Sequence, residues 1–170
     1  MKEPLLRGIK NRIFQELARV MPGATTLRVK LHRARGVKIA ENVWIGYDVM
    51  LETSRPSLIS LGARSSLGAR VMVIAHFRET QGVTIEEDVF VGPGAIILPN
   101  LVIGRGAVVT AGSVVTRSVP PMTVVQGNPA VPIAECATPL MAGMSVKEFS
   151  TKLRPLSAAR NSRERDPVAK

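Results

Sequence analysis

From Ile39 to Val115, aliphatic side chains return at every sixth residue: Ile39, Ile45 and Leu51, then Leu67 and Val73, then Ile85, Val91, Ile97, Ile103, Val109 and Val115. A second small or apolar series stands four positions further on, among them Val43, Val49, Val71, Val83, Val89, Ala95, Leu101, Ala107 and Ser113. Glycine often follows the first aliphatic residue, as in Ile45-Gly46, Leu67-Gly68, Val91-Gly92 and Ile103-Gly104. A period of six fits neither a helix nor an alternating strand. It predicts an all-β solenoid in which each hexad makes one short strand and one corner, and three hexads close a triangular coil. The aliphatic residue points into a narrow interior, and the small residue beside it lets the chain turn.

The pattern has one visible break. Leu51 and Leu61 are ten residues apart, so a hexad has gained four residues around Thr53-Ser54-Arg55-Pro56-Ser57, which predicts a bulge. From Leu67 onward the register reads as unbroken, with Leu67, Ile85 and Ile103 opening successive coils of eighteen residues. On that arithmetic His76 lies under Gly94 and Gly112, Ala75 under Pro93 and Ala111, and Ile74 under Gly92 and Thr110. Pro120-Pro121 ends the prism.

The flanks have other periods. In residues 4–20, Leu5, Leu6, Ile9, Ile13, Phe14, Leu17 and Val20 recur at helical spacing, with Lys10, Arg12, Glu16 and Arg19 between them, and Pro22-Gly23 follows. This helix either caps the open end of the solenoid or lies as a basic amphipathic helix on a membrane. Residues 26–32 then lead through Arg35-Gly36 into the first hexad. Ser145-Val-Lys-Glu148 reads as a capping box opening a short helix through Leu153, stopped by Pro155. Residues 156–170 are polar and charged, as in a disordered tail. The division is a helical cap over 1–38, a β-helix domain over 39–133 and a C-terminal extension over 134–170.

Charge changes the picture at the ends only. The formal net charge is +10, yet residues 1–38 carry ten Lys/Arg against two Glu, whereas residues 40–151 carry seven against nine acids. Neither a recognition motif nor an aromatic stacking platform accompanies this charge, so nucleic-acid binding is not expected. Anionic substrates or an anionic membrane surface suit it better. No apolar run is long enough to span a bilayer, and the N-terminus lacks the apolar core of a secretory signal. The lone Cys136 makes no internal disulfide, so a reducing cytoplasm is the default.

Candidate chemistry centres on His76. The other imidazole, His32, precedes the prism. His76 stands among residues that lack bulk, and it is followed by Phe77-Arg-Glu79-Thr-Gln-Gly82, where Glu79 takes an aliphatic position. A histidine near its ordinary pKa accepts a hydroxyl or amine proton at neutral pH. Glu79 and, in the bulge, Glu52 are candidate acceptor contacts, with Glu52 alternatively orienting His76 or lying in a plain surface turn. Two histidines do not build a metal site, and no metal is expected.

The stretches Ile85-Glu-Glu-Asp-Val-Phe-Val-Gly92, Ile97-Leu-Pro-Asn-Leu-Val-Ile-Gly104, Gly106-Ala-Val-Val-Thr-Ala-Gly-Ser-Val-Val-Thr116 and Val119-Pro-Pro-Met-Thr-Val-Val-Gln-Gly-Asn-Pro-Ala130 resemble the hexapeptide-repeat acetyltransferases. The group closest in pattern contains the maltose, galactoside and nodulation-factor enzymes; serine acetyltransferases are more distant. The resemblance implies a left-handed parallel β-helix and a homotrimer with active sites between subunits. It implies acetyl-coenzyme A as acyl donor and direct transfer to a small-molecule or glycan acceptor, with His76 as general base. It aligns Pro93, Ala111, Thr116 and Arg117 with coenzyme contacts; the stacking adds Gly94 and Gly112. O-acetylation of a saccharide, lipid- or nucleotide-linked, is the leading reading. N-acetylation of an amino sugar, a serine acetyltransferase-like reaction and a non-catalytic trimeric module are the alternatives. Two departures stand out. Twelve residues from Val73 to Ile85 leave no room for the long loop of galactoside-type enzymes beside the histidine, and Val131-Pro132 replaces the usual cation after Gly-Asn-Pro-Ala.

Overall fold

A computed structural model describes residues 5–76, 81–140 and 143–156. Two helices, α1 (Leu5–Val20) and α2 (Leu27–Arg35), precede four coils of three strands each. The coils are β1 (Lys38–Ile39), β2 (Trp44–Ile45) and β3 (Met50–Leu51); β4 (Ile59–Leu61), β5 (Ser66–Leu67) and β6 (Met72–Val73); β7 (Val83–Ile85), β8 (Phe90–Val91) and β9 (Ile96–Ile97); and β10 (Leu101–Ile103), β11 (Val108–Val109) and β12 (Val114–Val115). The strands stack in parallel into three faces, β1-β4-β7-β10, β2-β5-β8-β11 and β3-β6-β9-β12. This is the parallel β-solenoid that the six-residue period predicts.

The aliphatic residues that end these strands from Ile45 to Val115 fill the interior, each at most 2% exposed. The second series, from Val43 to Ser113, is buried beside them. Each coil buries only a few side chains, so the core exists because coils stack.

The glycine after the aliphatic residue has a different reason from a turn. A Cβ at Gly92 would lie 2.5 Å from the backbone nitrogen of Ala111, and one at Gly68 would lie 2.6 Å from that of Pro93. Close approach of the next coil excludes a side chain there. The left-handed residue of the corner sits two positions later, and it is often not glycine: Asn42, Asp48, Arg64, Arg70, Asp88, Asn100 and Met122 all have positive φ.

The register corrects the stacking arithmetic. β9 sits eighteen residues before β12, with Ile96 opposite Val114, but twenty-four after β6, with Met72 opposite Ile96. The same step of twenty-four separates β4 from β7 and β5 from β8. A full extra hexad of sequence therefore lies between β6 and β7. An insertion of six leaves a period of six intact, which hides it from pattern reading; Glu79 in an aliphatic position was its trace. The break between Leu51 and Leu61 is where expected, as the step of twenty-two between β3 and β6 shows, and it contains a 3-10 turn at Pro56–Leu58.

The helices close the first coil, though not with the apolar face of α1. The buried residues of α1 are Asn11, Gln15 and Ala18, whereas Leu5, Leu6, Ile9, Ile13 and Val20 point to solvent. The open end of a solenoid presents carbonyls that have no further coil to bond, and only donors satisfy them. Gln15 Nε2 donates to the Val49 carbonyl at 2.9 Å, Arg28 to Ile45 at 2.6 Å, Arg33 to Ile39 and Ala40, and Arg35 to Leu51 and Glu52. Helix α2, which the apolar spacing did not reveal, supplies all three of these cations.

At the other end β13 (Thr123–Gly127) continues the second face and β14 (Ala130–Cys136) turns back antiparallel on it. Helix α3 (Val146–Thr151), capped by Ser145 accepting from the Glu148 backbone N–H at 3.1 Å, leads to β15 (Leu153–Pro155) beside β14. This extension covers the outer side of the second face, where Phe90, Val108 and Val124 pack with Ile133, Phe149 and Leu153. The outward residues of the third face, Met50, Met72, Ile96 and Val114, are apolar and at least partly exposed. The expected disordered tail from residue 157 lies outside the described residues, as does Glu79.

Candidate functional site

Glu52 and His76 stand at the corner between the third and first faces, one coil apart. β3 ends at Leu51, and the four-residue bulge lets Glu52 turn its side chain under the next coil. Its carboxylate is nearly buried, at 6% exposure, and Oε2 lies 2.7 Å from His76 Nδ1, while the imidazole is 37% exposed. Oε1 accepts from the Ser54 N–H at 2.8 Å, and Oε2 from the Ala75 N–H at 3.4 Å. Burial works to raise the Glu52 carboxyl, but His76 and these two amides outweigh it, so its pKa is lowered. The carboxylate stays ionised at neutral pH and favours the tautomer with hydrogen on Nδ1. Nδ1 is buried, so the exposed part of the ring is its other side, where a neutral Nε2 is a proton acceptor.

Buried donors beneath the bulge fix it in place. Arg35 Nη2 holds the Leu51 and Glu52 carbonyls at 3.0 and 2.7 Å, and Nη1 donates to Gln15 Oε1 and meets His32 Nδ1 at 3.0 Å. Burial brings Arg35 down to about 10, still charged at neutral pH. Burial, then the Arg35 charge, holds His32 at about 3, so His32 is a neutral acceptor. The pattern reading missed this network; its signal was the density of cations in residues 28–38.

The other candidates fall at two corners. Continuing the register from Val73 opposite Ile97 opposite Val115, Leu98 and Thr116 lie over Ile74, and Pro99 and Arg117 over Ala75. Thr116 and Arg117 therefore share the corner of His76, two coils on. Pro93, Gly94, Ala111 and Gly112 occupy the corner between the second and third faces, over Ala69 and Arg70, as the Gly94 N–H to Ala69 carbonyl bond of 2.8 Å and the Gly112 N–H to Pro93 carbonyl bond of 2.9 Å show. His76 does not lie under Gly94; the hidden hexad shifts it by one corner. A whole prism face separates the imidazole from the glycines within one chain.

The glycine corner is bare. A Cβ at Gly94 or Gly112 would meet nothing within 4 Å. The corner conformation does not demand glycine, since seven other residues adopt it. A cleft of about 540 Å³ runs from Gly94 and Pro93 down to Arg70, Asp48 and Tyr47. Its floor is an ionic chain: Arg19 donates to Asp48 at 2.7 Å, and Arg70 Nε lies 3.9 Å from the same carboxylate. An open hollow of about 750 Å³ along the first face, from Lys38 and Ser60 to Glu86 and Arg105, touches neither corner residue set.

The family model for the bacterial transferase hexapeptide, six repeats, matches residues 82–117. A Bacillus subtilis protein named as an acetyltransferase, YvoF, is 31% identical over 132 residues, covering 74% of this chain and 76% of its own. The chain belongs to the hexapeptide-repeat acetyltransferases. It is an acyltransferase of that family, not a bare assembly module. A Staphylococcus aureus 2,3,4,5-tetrahydropyridine-2,6-dicarboxylate N-acetyltransferase is 47% identical over 55 residues, 32% of this chain and 23% of its own length. A galactoside acetyltransferase solved with coenzyme A superposes with a TM-score of 0.58 at 20% identity, over 76% of this chain and 80% of that one, and shares the fold.

Proposed function

We propose that this acyltransferase moves an acetyl group from acetyl-coenzyme A to a hydroxyl of a saccharide that is lipid- or nucleotide-linked, as in polysaccharide assembly at the cytoplasmic side. The observation that carries the reading is the Glu52–His76 pair: an imidazole held on one nitrogen by a buried carboxylate and open on the other. The acceptor hydroxyl approaches Nε2, which takes its proton as the oxygen attacks the thioester carbonyl. A carbon–oxygen bond forms, the carbon–sulfur bond breaks, and the imidazolium returns the proton to the leaving thiolate. Glu52 holds the tautomer and stabilises the cation.

The bare Gly94 and Gly112 corner supports a groove for the pantetheine chain of the donor, since backbone left open with no steric reason inside the chain points to a neighbour outside it. The coenzyme bound in the galactoside enzyme agrees with this donor. Arg117 is then placed to meet a coenzyme phosphate, with Thr116 beside it. Groove and histidine lie at different corners, on either side of the apolar third face. A homotrimer in which the third face packs on a neighbour brings His76 of one subunit to the groove of the next, and each site then belongs to two chains.

The test is His76→Ala. A positioned general base contributes ~10²–10⁴-fold, and kcat measured by thiol release should fall by about that factor, while coenzyme affinity and assembly persist. A loss under about fivefold removes His76 from the chemistry.

A further inference from the structure

A cleft of about 370 Å³ opens between α1, the end of α2 and the bulge, lined by Arg7, Lys10, Arg33, Arg35, Arg55 and Ser54, with Ser57 at its edge. Five cations line it, and no acid does so among the described residues. Some cations elsewhere in the fold are ion-paired, Arg19 with Glu16 and Asp48, Arg64 with Glu87 and Asp88, and Lys152 with Glu148, while others among the described residues, such as Lys38 and Arg117, stand singly along the surface. Among the described residues none of the five in the cleft is ion-paired. Lys10 and Arg33 are steered into place by backbone carbonyls, at 3.0 Å from Ala34 and 2.7 Å from Ala40, which position a charge without cancelling it. Arg35 is fixed by the Leu51 and Glu52 carbonyls, and Glu52, whose charge reaches it, turns its carboxylate to His76. Arg7 on α1 and Arg55 in the bulge are both exposed.

Converging cations that stay uncompensated cost electrostatic free energy and persist where an anion relieves them. Two exposed guanidiniums, an ammonium and serine hydroxyls lining one cleft suit the several oxygens of phosphate better than a single carboxylate. The cleft also shares its bulge with the catalytic pair, since Ser54 lines it and donates its N–H to Glu52. We propose that this cleft is a phosphate-binding site that holds the phosphate or diphosphate of the acceptor while its sugar reaches His76. The anion site stands on this geometry alone; its assignment to the acceptor rests on the transferase reading above. It lies at the first coil, whereas Arg117, offered to the coenzyme, lies on the fourth.

Calorimetry at fixed ionic strength tests it, with inorganic pyrophosphate as probe. Wild type should bind it saturably, and Arg7→Gln with Arg55→Gln should weaken binding at least about tenfold, as loss of charge-assisted bonds predicts. Both side chains are exposed, so the melting temperature should not change, and Arg117→Gln should leave pyrophosphate binding intact. Uridine diphosphate and geranyl diphosphate then separate the sources: the tighter one identifies a nucleotide- or a lipid-linked acceptor. Pyrophosphate affinity unaltered in the double variant, or absent in wild type, overturns the site. If pyrophosphate binds as expected and coenzyme A does not bind at all, the donor reading fails while the anion site stands.

Discussion

At the residue scale, two histidines have opposite environments, and each predicts a measurement. His76 is half open and touches a carboxylate; His32 is fully buried and touches a guanidinium. Glu52→Gln keeps the shape but loses the charge that orients and stabilises the imidazolium. We expect kcat to fall by up to about 10⁴-fold with coenzyme affinity unchanged, the loss that follows when the carboxylate beside a catalytic imidazole is replaced by its amide. For His32, the folded pKa of about 3 lies below the ordinary value of 6.5. The folded state keeps it neutral, so its contribution to stability is complete above pH 6.5 and is lost as pH falls toward 3. The slope is at most about 1.4 kcal/mol per pH unit. His32→Gln, which still accepts from Arg35, should flatten that part of the dependence. Denaturant unfolding of both proteins at pH 7 and pH 5 checks this, because the acidic groups are common to the two.

At the scale of elements, the corner and the cap helix each separate what the fold needs from what a partner needs. Asn42 and Asn100 show that asparagine fits the left-handed corner residue. Gly112→Asn should therefore fold, with a cost of about 1 kcal/mol for the positive φ, and still fill the bare groove. Calorimetry with acetyl-coenzyme A should show a clear loss of affinity; an unchanged affinity in a well-folded variant moves the groove elsewhere. Helix α1 docks by its polar side, which leaves Leu5, Leu6 and Val20 more than 70% exposed. With Lys10 and Arg12 beside that stripe, the contact of residues 4–20 with an anionic membrane surface gains support as a proposal. Leu6→Glu with Ile13→Glu should abolish co-sedimentation with phosphatidylglycerol vesicles and leave the melting temperature alone. If the same variant instead dissociates the oligomer, another subunit covers the stripe.

Legibility also divides by element. The strands, the aliphatic core and the bulge followed from the period, because one side chain per hexad must enter the prism and nothing else fits. The direction of α1 did not follow, because an amphipathic pattern tells which residues share a face and not whether the nearest surface is apolar. Here that surface is a row of unpaired carbonyls, and it selected Gln15 and the arginines of α2. His76 was legible as the one imidazole of the repeat region. Glu52 was legible as one candidate to orient it, but the residues stacked over it were not, since six residues inserted into a six-residue repeat shift every later alignment by one corner and leave the aliphatic spacing untouched.

At the scale of the whole molecule, that shift makes assembly a condition for chemistry in the proposed mechanism. Were His76 under Gly94, one chain would hold donor groove and base together. With the two a prism face apart, and an apolar face of Met50, Met72, Ile96 and Val114 between them, the proposed site is completed by a second chain. Light scattering should report a trimer at micromolar concentration. A sharper measurement uses two inactive variants, His76→Ala and Gly112→Asn. Each alone lacks one half of every site. Mixed subunits place an intact histidine beside an intact groove at some interfaces, and random association in equal amounts restores about one site in four, the statistics expected of sites shared between identical neighbours. Coexpression followed by thiol-release assay should thus recover roughly a quarter of wild-type activity, far above either variant alone. No recovery, from mixed trimers verified by mass, means that both groups act within one chain and that the inter-subunit site is wrong.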